Sequence, residues 1–306
     1  MISWSKTNFS FSAIGTHWQI DLADDLNQES SAILLEAIKN LIAKFDFNYS
    51  RFRPDSLVSQ MARAAGTYPL PADAAPLLEI YHQAYDLTDG LVSPLIGQTL
   101  VDAGYDATYS FKINNPATPP AWDEVLDLSQ PGKLIMKQPW LLDFGAAGKG
   151  YLIDLVCELI LKQGYESFCV EAGGDLRFCP AVIPAPTLQS GGILKLTIGL
   201  ENPADFSQVI GTLTLASGSL CGSAGNRRAW DRFHHIINPK TVSSPRHLAA
   251  VWVKAADALT ADILTTCLFF VEPEKLLSHF EFDYFLLKPD FTFEQSDNFK
   301  AKLFLS

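Results

Sequence analysis

The chain has 306 residues, 48% of them hydrophobic and 19% charged, with no low-complexity tract or long charge run. This composition excludes a disordered or fibrous chain and is long enough to bury a substantial core, expected as a single domain over residues 1–306. A net charge of −11 opposes binding to nucleic acid or anionic lipid, yet a small phosphorylated ligand is still admitted where amides, a lysine and a divalent cation cluster locally.

Residues 1–10 show no basic segment followed by an apolar stretch, and no apolar run is long enough to span a bilayer. A cytoplasmic protein without membrane association is therefore expected. The five cysteines, Cys157, Cys169, Cys179, Cys221 and Cys267, are odd in number and lack a C-x-x-C spacing. They read as buried free thiols in a reducing compartment.

In chain order, Ile14 to Leu22 reads as a strand, and Ser31 to Phe45 as a helix on the spacing of Ile33, Leu34, Ala37, Ile38, Leu41, Ile42 and Phe45. Helical stretches follow at Ser56 to Ala65 and Ala74 to Leu87, and Thr88-Asp89-Gly90 breaks the pattern. Short strands are expected at Lys133 to Met136 and Trp140 to Phe144. The helix from Lys149 to Lys162 puts Leu152, Leu155, Val156, Leu159 and Ile160 on one face and stops at Gly164. Strands at Ser167 to Glu171 and Leu176 to Cys179 flank a Gly173-Gly174 turn, and Pro180 to Gly192 reads as a loop. Strands at Leu194 to Leu200, Ile210 to Leu215 and Leu248 to Val253, a helix at Ala256 to Phe270 and a strand at Tyr284 to Leu287 complete the pattern. Consecutive strands outnumber helices, which favours an α+β plan.

Chemistry is expected in four places. Asp143-Phe144-Gly145-Ala146-Ala147-Gly148-Lys149-Gly150-Tyr151 opens the clearest helix; free amides at a helix start plus a lysine suit an anion. It is not a P-loop, because Asp143 holds the first glycine position and Gly150 replaces the hydroxyl residue. A glycine-rich turn with a surface lysine is the alternative. Asp262 and Thr266 share one face of an apolar helix, an oxygen pair suited to Mg²⁺; alternatively Asp262 sits at the rim and Thr266 bonds back to the main chain. His234-His235-Ile236-Ile237-Asn238-Pro239 carries a candidate general base, with His235 chosen over His234 because it adjoins the Ile-Ile-Asn-Pro run. Tyr49-Ser50-Arg51-Phe52-Arg53-Pro54-Asp55-Ser56 is an aromatic and basic turn in which Phe52 can stack on a planar heterocycle and Asp55 or Ser56 can cap a helix.

These stretches, with Ile14-Gly15-Thr16-His17-Trp18 before them and Val170-Glu171-Ala172-Gly173-Gly174-Asp175 between, resemble the ApbE family of flavin transferases from about residue 14 to residue 270. The resemblance implies an α+β fold of the T-fold type with mixed or antiparallel sheets flanked by helices. It implies Mg²⁺-dependent transfer of the FMN moiety of FAD to a Thr or Ser hydroxyl of an acceptor flavoprotein, with release of AMP. Asp262 and Thr266, with the Ala146 carbonyl, match the metal ligands; Ile14, Phe52, Asp143, Lys149 and Ile236 match cofactor contacts; His235 is the catalytic base. Three segments depart from the pattern. Leu91-Val92-Ser93-Pro94-Leu95 lacks the usual Asp, Gly222-Ser223-Ala224 replaces Thr-Ser-Gly, and Asn238 and Val242 stand for Asp and Gly. Two other readings keep the same site: water as the nucleophile, giving a FAD pyrophosphatase, or a non-catalytic flavin-binding protein.

Overall fold

The chain opens with a hairpin in which β1 (Thr7–Ala13) and β2 (Thr16–Leu22) pair from Thr7 opposite Leu22 to Ala13 opposite Thr16. Its two-residue turn holds both Ile14 and Gly15 at positive φ, 46° and 74°. Such a turn matches strand twist, but a β-branched residue enters the left-handed region only under strain. The expected strand therefore begins at Thr16, with Ile14 on the turn. A computed structural model describes residues 4–180 and 194–304 of the chain, so the expected loop at 180–192 lies, Pro180 apart, outside the described residues.

Six further strands extend this hairpin into one eight-stranded antiparallel sheet: β3 (Phe168–Ala172), β4 (Asp175–Cys179), β5 (Gly218–Ala224), β6 (Ala250–Ala255), β7 (Phe282–Leu287) and β8 (Phe293–Gln295). Their spatial order equals their chain order. Alternation sorts the side chains to two faces. Phe168, Val170, Cys221, Val251, Val253, Tyr284 and Leu286 enter a core shared with the helices. Cys169, Leu220, Ala250, Trp252, Phe285 and Leu287 enter a second core, under the hairpin Leu196–Asn202 and Asp205–Leu215. Helices on one face and a small sheet on the other make the α+β architecture expected from the sequence.

The long connection from β2 to β3 supplies three of the main helices. α1 (Gln28–Tyr49) is capped by Asn27, which accepts the Ser30 amide at 2.8 Å, and buries Leu34, Ile38, Ile42 and Phe45. α2 (Ala75–Leu87) buries Leu77, Ile80, Tyr81 and Ala84. α3 (Gly148–Lys162) follows an irregular stretch, Trp140 to Phe144, that the sequence had led us to expect as a strand. Among the described residues no partner strand lies beside it; the Trp140 indole donates to the Leu95 carbonyl at 2.7 Å and the Asp143 amide to the Pro94 carbonyl at 2.7 Å. Those bonds tie the approach to α3 onto the turn at Pro94–Ile96 and leave the Asp143 side chain free of sheet geometry.

α4 (Ala258–Cys267) lies across α3 and against β5 and β6. Two carboxylates start it: Asp257, its own cap, accepts the Thr260 amide at 2.7 Å, and Asp154 of α3 accepts the amides of Ala258 at 3.0 Å and Leu259 at 2.7 Å. Asp154 is also paired with Arg177 of β4 at 2.7 Å, so one buried side chain joins both helices to the sheet. The helices meet at Gly150, where a methyl group would come within 2.1 Å of the Ala258 carbonyl oxygen and 2.7 Å of Asp262 Cβ. Both contacts belong to packed α4 atoms that cannot rotate away. Gly150→Ala is expected to lower unfolding free energy in urea by about 1–3 kcal/mol through overpacking; an unchanged urea midpoint would show that the crossing has slack.

Candidate active site

Gly150 also explains how the two halves of the predicted site meet. Its amide, which a regular helix would send to the carbonyl of Ala146, instead donates to Asp262 Oδ2 at 2.8 Å. Among the described residues the Ala146 carbonyl then has no helical donor, and the Ala146 amide donates to the hydroxyl of buried Tyr81 at 3.1 Å. Asp262 is buried, and that burial pushes its carboxyl up, with the Lys149 ammonium, 3.9 Å from Oδ1, pulling the other way.

The expected anion-binding turn needs a correction. The amides of Gly145, Ala146, Ala147, Gly148 and Gly150 all donate to acceptors of the protein itself, Asp143 and Asp262 among them. Among the described residues most amides at the start of α3, that of Lys149 excepted, are thus occupied, and much of the positive charge at the site comes from side chains. Nor is Lys149 a surface lysine: its ammonium is ion-paired with buried Asp175 of β4, whose other oxygen accepts the Gly222 amide at 2.9 Å.

A cleft of about 170 Å³ receives Phe52, Asp143, Ala146, Lys149, His235, Ile236, Asp262 and Thr266 on its wall. Ile14 lies outside it, on an adjoining groove of about 450 Å³ that shares Phe52, Asp143 and Lys149 with the cleft. All the residues to which the sequence assigned metal, cofactor or base roles therefore line one or the other of these two adjoining cavities. Asp143 is held by Arg51, whose Nε donates to Oδ2 at 2.5 Å and whose Nη1 donates to the Tyr105 carbonyl at 2.8 Å. The Phe52 ring is already stacked on Tyr109 at 5.6 Å and covered by the Arg51 guanidinium at 4.2 Å. A planar ligand would meet its edge or displace Tyr109, which is 49% exposed.

The paired histidines separate cleanly. A two-stranded ribbon, Ala229–Trp230 with Phe233–His234, sets Ala229 opposite His234. Buried His234 accepts the Ile236 amide on Nδ1 at 3.2 Å, so the tautomer assigned to it carries hydrogen on Nε2, which reaches the Pro245 carbonyl at 2.8 Å. It is a structural residue. His235 points into the cleft with its Nδ1 unpartnered among the described residues. Burial, followed by the charges of Arg228, His234 and Lys149, pushes its ring down to about 3.

Asp262, Thr266 and Ala146 all line the cleft, and carboxylate, hydroxyl and carbonyl oxygens are the donors a hard cation prefers. Among the described residues the Thr266 hydroxyl makes no hydrogen bond, and it is Thr265 that bonds back, to the Asp262 carbonyl at 2.7 Å. Among those residues no three His, Cys, Asp or Glu side chains form a metal cluster, so a cation here would rest on mixed oxygen ligands. The Thr265 hydroxyl in turn accepts from Ser223 at 2.8 Å, tying the altered Gly-Ser-Ala segment to α4. Ser93, in the segment lacking the usual Asp, lines the cleft and caps the turn at Pro94–Ile96. Val242, where the resemblance expects Gly, has φ of 50°, a left-handed conformation that costs a β-branched residue about 1–2 kcal/mol. Arg51, Tyr81 and Asp175 were missed because each acts on a residue far away in the chain.

A family model described as the ApbE family matches residues 14–284. A protein of Klebsiella pneumoniae named FAD:protein FMN transferase is 27% identical over 262 residues, covering 79% of this chain and 77% of its own length. One of the same name from Vibrio cholerae is 22% identical, covering 98% and 93%. Among solved structures, the ApbE protein of Thermotoga maritima has a TM-score of 0.81 at 23% identity, over 96% of this chain and 97% of its own. The flavin transferase ApbE from Vibrio cholerae gives 0.73 at 18% identity, over 97% and 96%. These two share the α+β fold described above. With the motifs lining one cleft and the family match running over most of its length, this chain belongs to the ApbE family.

Proposed function

We propose that this protein transfers the FMN moiety of FAD to a Thr or Ser hydroxyl of an acceptor flavoprotein, with Mg²⁺ and release of AMP. The observation that carries the reading is the convergence on one cleft of a histidine whose Nδ1 is unpartnered among the described residues, a lysine and a set of oxygen donors. The names of the relatives support the same activity. A cytoplasmic setting agrees with the five free cysteines, and among the described residues no helix is long and apolar enough to cross a membrane.

Asp262, Thr266 and the Ala146 carbonyl would hold the cation, which when bound neutralises charge on the pyrophosphate. Lys149, fixed by Asp175 beside Asp262, presents its ammonium to the same phosphates. His235 takes the proton of the acceptor hydroxyl as that oxygen bonds to the phosphorus on the FMN side; the bridging P–O bond breaks and its electron pair leaves on AMP. Asp143, clamped by Arg51, and Ile14, Phe52 and Ile236 form the walls that orient the flavin nucleotide.

The test is covalent flavinylation of a co-expressed acceptor, followed by in-gel flavin fluorescence and intact mass. His235→Gln is expected to slow transfer roughly 10²–10⁴-fold while FAD still binds; transfer at the original rate would remove His235 from the mechanism. Asp262→Asn, which keeps an oxygen for the Gly150 amide, is expected to reduce Mg²⁺-dependent transfer by roughly 10²-fold, and full activity in that variant would sink the metal assignment. Incubation with FAD and no acceptor separates transfer from hydrolysis, because a pyrophosphatase releases FMN and AMP at an undiminished rate.

The pH dependence has a definite sign. A base works in its neutral form, so activity falls as pH drops through its pKa. Free His235 is held near 3, so kcat/KM, which reports the free enzyme, is expected to show no histidine limb between pH 5 and about 8. A limb near 6.5 that disappears in His235→Gln would contradict that environment.

A further inference from the structure

The ribbon that separates the two histidines also pairs His235 with a cation. Beyond the pair Ala229 and His234, the next residues across the ribbon are Arg228 and His235, and the His235 amide donates to the Arg228 carbonyl at 3.1 Å. Residues directly opposite in an antiparallel ribbon project to the same face, and both side chains line the cleft. Arg228 also lines the adjoining groove, so it stands where the two cavities join.

The other cations of the cleft wall already have carboxylate partners. Lys149 pairs with Asp175, and Arg227 with Glu201 at 2.6 Å. Among the described residues no carboxylate comes within ion-pair distance of Arg228, which is exposed toward the depression. A guanidinium is a planar fork that matches phosphate oxygens in two-point contact. An uncommitted fork at the mouth of a site that handles a pyrophosphate has a natural ligand.

We propose that Arg228 is a phosphate-binding residue of the cleft, and that taking up phosphate charge there frees the His235 ring across the ribbon to accept a proton. The proposal deepens the transferase reading and rests on it for the identity of the ligand. The charged groups facing His235 are Arg228 across the ribbon, Lys149 from α3 and His234 beside it, all adverse to a second positive charge. A ring so surrounded is a weak base, and proton transfer to it is slow. Phosphates seated on Arg228 and Lys149 bring negative charge to the same place and reverse that penalty. The base then gains strength only when the nucleotide is bound, which guards the empty site against idle proton exchange.

The experiment uses the full chain and inorganic pyrophosphate, with calorimetry for affinity and NMR of the imidazole carbons for the His235 titration, the signal being assigned by its loss in His235→Gln. Arg228→Gln is expected to weaken pyrophosphate binding about tenfold or more, and Arg228→Lys to fall between. Saturating pyrophosphate is expected to raise the proton affinity of His235 by about tenfold or more in the unaltered protein. The free Arg228→Gln variant should already titrate above the unaltered protein, whereas free Arg228→Lys should not. Unchanged pyrophosphate affinity in Arg228→Gln overturns the binding role. A His235 midpoint that ignores pyrophosphate, or is the same in free Arg228→Gln, overturns the coupling. Neither readout involves flavin or acceptor, so a protein that shows both responses yet transfers no flavin refutes the transferase reading and leaves this one standing.

Discussion

The crossing of α3 and α4 at Gly150 is the constraint on which the site depends. Because the residue lacks a side chain, the Ala258 carbonyl and Asp262 Cβ approach the α3 backbone closely enough for the Gly150 amide to reach Asp262. One hydrogen bond has three consequences. It orients a buried carboxylate, releases the Ala146 carbonyl from helical bonding, and sets Lys149 beside Asp262. Asp154, one turn further along α3, secures the same crossing by capping α4 and pairing with Arg177. Packing and polar chemistry are here a single arrangement, since a wider crossing would dissolve the oxygen set along with the helix contact.

Charge in the cleft is organised in two tiers. The cations nearest the oxygen ligands are matched to carboxylates, Lys149 to Asp175 and Arg51 to Asp143, and these pairs are mostly withdrawn from solvent. In such a setting pairing avoids the large penalty of an isolated charge and holds each group in one geometry. Arg228, on the exposed side of the cleft, has no carboxylate within ion-pair distance among the described residues. A chain with net charge −11 can still present a locally positive entrance for a nucleotide, because the field close to the site is set by the few charges that line it.

Among the described residues, two β-branched residues stand at positive φ. Ile14 occupies a turn position that suits Asn or Gly, and its turn borders the groove beside Phe52. Val242 takes a left-handed conformation in the segment after His235. A β-branched side chain persists at positive φ when its surroundings over-determine it. At Ile14 the groove wall is a reason for keeping the side chain; nothing in the structure explains Val242.

Much of this was legible in the amino-acid order. Period-3.6 patterns marked α1 and α3, strand-like runs marked five of the eight strands of the main sheet but not β1, β5 or β8, and the four-residue spacing of Asp262 and Thr266 set them on one face, because these are properties of neighbours along the chain. Short-range pattern failed at Trp140 to Phe144, where an apolar run was tied to Pro94 and Leu95 instead of a strand. It also misjudged the start of α3, where two of the acceptors that occupy its amides, the Tyr81 hydroxyl and Asp262, lie far away in sequence. The choice of His235 over His234 rested on one adjoining segment, and only the ribbon, by sending opposite residues to one face and adjacent residues to opposite faces, assigned one ring to the cleft and the other to the Pro245 carbonyl. The sequence by itself determined which residue types were available and their local periodicity. Tertiary structure decided which of them meet, because a carboxylate, an amide or a guanidinium is defined chemically by the partner that burial brings to it.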